Sequence, residues 1–177
     1  IMNNGIAKIL VVDDDLMMRL LASEILEQDG FTVAEAENGE KALQQFVATG
    51  ADLILLDVIM PGWDGFTTCE QLRQTPAGSQ TPIVIMTGLD DEASIQHAYE
   101  VGATDFIVKP IIGPILSQRV RYVLRASAAL REVAALADFQ RALVETTPVP
   151  IRVDVAQGRA LICNPAFEAL FDGQELP

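Results

Sequence analysis

Short apolar runs alternate with stretches of helical spacing along the first 110 residues. Lys8-Ile9-Leu10-Val11-Val12 is rich in β-branched residues and ends in Asp13-Asp14-Asp15; Leu16 to Gln28 then carries apolar residues three and four apart and closes at Gly30. Phe31 to Ala36 reads as a more polar strand suited to a sheet edge, and Asn38-Gly39 leads into a helix from about Glu40 to Ala48. The third run, Asp52 to Leu56, meets Asp57 just before Met60-Pro61-Gly62 forces a turn. Asp64-Gly65 opens a helix reaching about Gln74, and Ile83-Val84-Ile85-Met86 forms a fourth strand ending at Thr87-Gly88. Asp90-Asp91-Glu92 suits a helix N-terminus, and that helix runs to about Val101. Gly102 stops it before a fifth strand, Asp105 to Val108, which ends at Lys109-Pro110.

Strands alternating with helices predict an α/β fold: a five-stranded parallel sheet with right-handed crossovers and helices on both faces. In the flavodoxin-like order 2-1-3-4-5 the switch point lies between strands one and three. Strand one ends in Asp13-Asp14, strand three in Asp57, strand four in Thr87 and strand five in Lys109, so four strands bring a polar group to one rim. The edge strand is expected to bring none.

Charge narrows the chemistry. The 177 residues carry a net charge of −13, and lysine occurs only at 8, 41 and 109, which excludes broad attachment to nucleic acid or an anionic membrane. Cys69 and Cys163 have no metal-ligand spacing, and no signal peptide or membrane-spanning run is legible, so a reducing, cytoplasmic setting is expected. Carboxylates converging in one crevice raise each other's proton affinity unless a cation joins them. With oxygen donors alone, Mg2+ or Mn2+ is the natural choice. Asp57 then becomes a candidate nucleophile toward phosphorus, with Lys109 offsetting phosphoryl charge, the Thr87 hydroxyl bonding a phosphoryl oxygen and Gly88 leaving room for it.

The series Ile9 to Asp14, Leu55 to Gly62 with Asp64-Gly65, Met86-Thr87-Gly88 and Phe106 to Pro110 resembles the receiver domain of two-component response regulators, over roughly residues 6–126. The resemblance implies that Asp57 accepts a phosphoryl group from the phosphohistidine of a histidine kinase or phosphotransfer protein. It implies that Asp14, Asp57 and the backbone carbonyl of Ile59 bind Mg2+, with Asp13 acting through water, and that Lys109 contacts the phosphoryl oxygens. It implies that Thr87 and an aromatic, here Phe106, move together as a switch, and that the Lys109-Pro110 bond is cis. Ile59 and Leu89 stand where the family tunes hydrolysis; both are bulky and apolar, and slow dephosphorylation is expected. Beyond taking up its own phosphoryl group the chain is expected to be no enzyme.

Other readings remain open. Asp13-Asp14-Asp15 also fits the aspartate-x-aspartate of haloacid-dehalogenase-type phosphatases, which need a further acidic pair at another strand end, and the acids beyond Lys109 (Glu132, Asp138, Glu145) fall in a helical stretch. A dimerisation scaffold that is never phosphorylated is a third. His97 reads as a partly exposed helical residue, and Trp63 as a rim residue able to report on the site.

From Ile115 to about Val144 no proline or glycine occurs. Tyr122, Ala126, Ala129, Val133, Leu136, Gln140 and Leu143 form a heptad seam, fitting either a dimeric signalling helix or a helix folded back on the receiver; a homodimer is the expectation. After Thr146 to Pro150, Ile151–Val155 and Ala160–Cys163 read as a hairpin, followed by a helix at Asn164-Pro165. This segment resembles the opening of a PAS sensor domain. The expected organisation is a receiver over 1–126, a helical linker over 127–147 and a partial PAS-like segment over 148–177. The last segment cannot bury a core of its own, so the chain reads as part of a longer regulator whose output, such as a cyclic-di-GMP enzyme or a kinase, lies elsewhere.

Overall fold

The computed structural model describes residues 6–88, 92–155 and 159–170. Within a first compact unit, ending at Ser127, the strands β1 (Lys8–Val12), β2 (Thr32–Ala36), β3 (Leu53–Asp57), β4 (Ile83–Thr87) and β5 (Asp105–Val108) pair in the order β2-β1-β3-β4-β5. Every pairing is parallel, so the expected order and the polar edge position of β2 are both found. The crossovers are α1 (Leu16–Gln28), α2 (Gly39–Thr49), α3 (Gly65–Arg73) and α4 (Glu92–Glu100).

Alternation along the strands divides the core in two. Leu10, Val12, Ile54, Leu56, Ile83 and Ile85 face one way with Phe46 and Leu72, while Ile9, Val11, Leu53, Leu55, Val84 and Met86 face the other with Leu26, Leu116 and Val120. All residues of β3 and β4 are buried, which is why those strands read as unbroken apolar runs. Each large aliphatic side chain so buried contributes about 1.5–3 kcal/mol, which makes this sheet a stiff platform.

Local chemistry sets the ends. Asp15 caps α1, its carboxylate accepting from the Met17 N–H at 2.8 Å, and Asp64 caps α3 through the Thr67 N–H at 2.7 Å. After α1 the chain turns at Gly30, where φ is +86° and a side chain would be strained. Strand register then aligns the carboxyl ends: Val12 lies opposite Leu56, Asp57 opposite Met86 and Thr87 opposite Val108.

The fifth helix, α5 (Gly113–Thr146), extends past both ends of the stretch the pattern marked out, and Pro114 is accommodated in its first turn, where no N–H is needed. Its buried residues, Leu116, Ser117, Val120 and Val123, all belong to the first unit. In the second unit, from Ala128 on, β6 (Arg152–Val155) and β7 (Arg159–Cys163) form an antiparallel hairpin with an irregularity between Val153 and Asp154. Asn164 then caps the short α6 (Pro165–Glu168), accepting from the Phe167 N–H at 3.0 Å. Fully buried, its amide also donates to the carbonyls of Val144 (3.1 Å) and Val149 (2.8 Å), tying the end of α5 to the hairpin. Among the described residues no helix is long and apolar enough to cross a membrane.

Candidate functional site

Because β1 and β3 are neighbours and end at the same level, the carboxylates of Asp13, Asp14 and Asp57 converge, with one oxygen of each lying within 4.8 Å of the others. Asp13 and Asp57 are buried and Asp14 is exposed. An open cleft of about 760 Å3 adjoins the group, lined by Asp14, Arg19, Glu37, Glu40, Pro61 and Gly62.

Lys109, delivered by β5, reaches across the sheet. Its Nζ lies 2.8 Å from Asp57 Oδ1 and 2.9 Å from Asp13 Oδ2. The other Asp13 oxygen accepts the Asp15 N–H at 2.9 Å. Burial pushes the Asp57 carboxyl above the ordinary aspartate range, and the nearby Asp13 charge adds to this; hydrogen bonding and attraction from Lys109 act against it without prevailing. For Lys109, burial opposes the charged form, but its hydrogen bonds to Asp57 and Asp13 outweigh that and carry the ammonium above its usual value. The site is therefore held at tension between two buried carboxylates and one cation.

Those three carboxylates offer oxygen donors only, at a rim open to solvent, and so fit a hard divalent cation with Mg2+ or Mn2+ character. Thr87 is buried at the end of β4, and its carbonyl accepts the Lys109 N–H at 2.7 Å, which links the fourth and fifth strand ends. A Cβ at Gly88 would meet nothing within 4 Å, so open space surrounds that position. The Ile59 side chain is 64% exposed beside the acceptor rather than packed in the core. Phe106 is not brought to the carboxylates: in the middle of β5, it packs edge-on against Tyr99 of α4 with ring centres 6.0 Å apart. The Lys109-Pro110 peptide is cis. Leu89, together with Asp90 and Asp91, lies outside the described residues.

Trp63 is half-buried in the loop after Asp57, close to the start of α2. His97 is half-exposed on α4, edge-on to Phe66 at 4.5 Å. Glu132, Asp138 and Glu145, the acids that a phosphatase reading would need at a further strand end, all sit on α5.

Sequence reasoning missed several residues that shape the site. The edge strand does contribute: Glu35 of β2 accepts from Arg19 Nε at 3.4 Å and from Ser23 Oγ at 2.8 Å. Arg19 in turn donates from Nη1 to the carbonyls of Asp13 (2.7 Å) and Asp14 (3.3 Å). The available signal was an arginine on the 19, 22, 23, 26 stripe that α1 buries. Gly65 is a second omission, since a Cβ there would stand 2.2 Å from the Asp57 carbonyl oxygen. Arg73, at the end of α3, donates to the carbonyls of Gly102 (2.7 Å) and Thr81 (2.6 Å) and so fastens the loops entering β4 and β5.

Comparison with known proteins places these features. Residues 9–121 match the family model described as response regulator receiver domain. The transcriptional regulatory protein ResD of Bacillus subtilis is 40% identical over 121 residues, covering 68% of this chain and 49% of its own. The response regulator PleD of Caulobacter vibrioides is 37% identical over 159 residues, covering 89% and 35% respectively. This chain thus spans half or less of the length of these relatives. A crystal structure of a putative response regulator from Chloroflexus aurantiacus superposes with a TM-score of 0.66 at 34% identity, covering 68% of this chain and 99% of that one.

Proposed function

Since this chain belongs to the response regulator receiver family of two-component signalling, we propose that it is a phosphorylation switch in which Asp57 accepts a phosphoryl group from a histidine kinase or phosphotransfer protein. The observation that carries this reading is the convergence of Asp13, Asp14 and Asp57 with Lys109 on two of them. One oxygen of the Asp57 carboxylate attacks phosphorus, and the bond from phosphorus to the donor's imidazole nitrogen breaks, its electron pair leaving with the nitrogen. Lys109 passes from Asp57 Oδ1 to the phosphoryl oxygens, and the Thr87 hydroxyl donates to one of them. Asp14, Asp57 and the Ile59 carbonyl would hold a divalent cation, with Asp13 acting through water, and the ion would supply neutralisation of the phosphoryl charge. Positioning and charge compensation are most of what such a transfer requires.

A protein donor suits the surface. Leu16, Met17, Leu20 and Leu21 of α1 are exposed immediately after the acidic loop, an apolar patch of the kind a partner covers. Phosphorylation shifts the population of two conformations, read through Thr87 and Phe106, and α5 carries the bias toward a PAS-like segment beginning with the β6–β7 hairpin. The seam residues Tyr122, Val133, Leu136 and Leu143 are exposed on α5, as a helix that pairs with a second copy requires.

The test is Trp63 fluorescence with intact-mass measurement, on wild type and Asp57→Asn, titrated with Mg2+ and then acetyl phosphate or beryllofluoride. A metal-dependent response and one added phosphoryl group, both lost in the variant, are expected. Labelling that persists in Asp57→Asn would move the acceptor to another residue, and none in wild type would return the scaffold reading. Met17→Glu should slow transfer from a phosphohistidine protein while leaving acetyl phosphate labelling unchanged; equal slowing of both would count against the α1 patch.

A further inference from the structure

We infer that Arg19 is a positioning residue for the cation, setting metal affinity by gripping the backbone of the two aspartates from the first turn of α1. The inference rests on the reading that Asp13, Asp14 and Asp57 hold a divalent cation. Arg19 is only 9% exposed, and burying a guanidinium is costly unless its donors are satisfied. Here they are satisfied in a particular way. Nη1 bonds the carbonyls of Asp13 and Asp14 at 2.7 and 3.3 Å, the two residues whose side chains enter the acidic group. Nε meets Glu35 at 3.4 Å, and Glu35 is itself held by Ser23 at 2.8 Å.

Two effects compete at such a site. A positive charge beside the loop would repel the cation, while fixed carbonyls hold the Asp13 and Asp14 side chains where a cation needs them. Glu35 neutralises the guanidinium to first order, so the geometric effect prevails. The pair also has a reason for its composition: lysine offers a point charge and could not bond both the carbonyls and Glu35 with one planar group. Two aspartates that repel each other gain from a backbone that cannot swing them apart, and partners behind the ligands of a metal typically change its affinity by about 10–100-fold.

The experiment is calorimetric Mg2+ titration of wild type, Arg19→Gln, Arg19→Lys, Glu35→Gln and Leu26→Ala, with the metal-free Tm of each. Leu26→Ala is the control: it loosens the same helix in its core, away from the acidic loop. About tenfold weaker Mg2+ binding is expected for Arg19→Gln, with weakening for Glu35→Gln, partial recovery in Arg19→Lys and wild-type affinity in Leu26→Ala despite its lowered Tm. Unchanged or tighter binding by Arg19→Gln would overturn the inference, as would an equal loss in Leu26→Ala. Absence of Mg2+ binding in wild type would instead retire the underlying metal reading.

Discussion

The ammonium of Lys109 stands 2.8 Å from Asp57 Oδ1 and 2.9 Å from Asp13 Oδ2, so a residue from the end of β5 bridges carboxylates from β3 and β1. Lysine and a divalent cation would therefore draw on the same carboxylates. Lys109→Met should lower the metal-free stability by about 3 kcal/mol, since two buried carboxylates lose their shared partner. It should also raise Mg2+ affinity, because a competing charge is gone. Denaturant melts with and without Mg2+ check both; weaker Mg2+ binding in the variant would contradict the competition.

Rising pH should weaken this pair in two separate windows. The folded-state pKa of Asp57 is raised, so the native state binds that proton more tightly than the unfolded chain. Metal-free stability then falls as pH rises from the ordinary aspartate range through the raised value, and levels off above it. Asp57→Asn should remove this falling limb and increase metal-free stability near neutrality. Lys109, also raised, contributes fully below the ordinary lysine pKa and loses that contribution as pH rises through its folded value. Melting curves across pH for wild type and both variants separate the two; a wild-type profile identical to that of Asp57→Asn in the acid window would contradict the assignment.

Gly65 is required for space. With a Cβ 2.2 Å from the Asp57 carbonyl oxygen and 2.8 Å from Val58 Cα, Gly65→Ala must push α3 away from the acceptor strand. A loss of about 3 kcal/mol is expected, together with reduced labelling of Asp57 by acetyl phosphate. Gly88→Ala, with nothing within 4 Å, should leave stability within about 1 kcal/mol of wild type. Paired chemical denaturation of the two variants decides the point.

Ile59, two residues after the acceptor, does not pack into the core, its side chain being 64% exposed. The phosphorylated form should persist for minutes rather than seconds after donor removal. Ile59→Asn, which can orient a water, should shorten that lifetime several-fold while leaving Tm nearly unchanged. Loss of the intact-mass phosphorylated peak over time measures both.

Leu136 and Leu143 expose apolar surface on the half of α5 that belongs to the second unit. If this seam pairs two copies, Leu136→Glu should convert dimer to monomer in sedimentation velocity, with acetyl phosphate labelling intact. A monomeric wild type at tens of micromolar would refute the pairing.

What the chain determines on its own is one-dimensional. Period and punctuation marked each strand because alternation, apolar runs and turn residues act between near neighbours. They also placed Asp57 one residue beyond the run Leu53 to Leu56, and Lys109 just past Val108. Asp15, which the pattern left beside Asp13 and Asp14 with no role of its own, caps α1 in the structure, a contact that is local too. The fully buried β3 and β4 left little room for any order but a central one.

Tertiary structure decided what depends on distance across the fold. No local rule connects Arg19 with Glu35, 16 residues away, until β2 lies beside β1 with α1 packed over both. Arg19 falls on the buried stripe of α1, where polarity alone would have excluded it; the Asp13 and Asp14 carbonyls together with the Glu35 carboxylate offset the cost of burying it. The requirement for glycine at 65 arises from the approach of α3 to the Asp57 carbonyl, a contact between two elements. Lys109 could be assigned to the rim from its strand, but its choice of Asp13 as well as Asp57 is set by the register that levels three strand ends. Hydrophobic patterning specifies elements through neighbours along the chain, whereas the electrostatics of this site belong to groups that meet only after the sheet has formed.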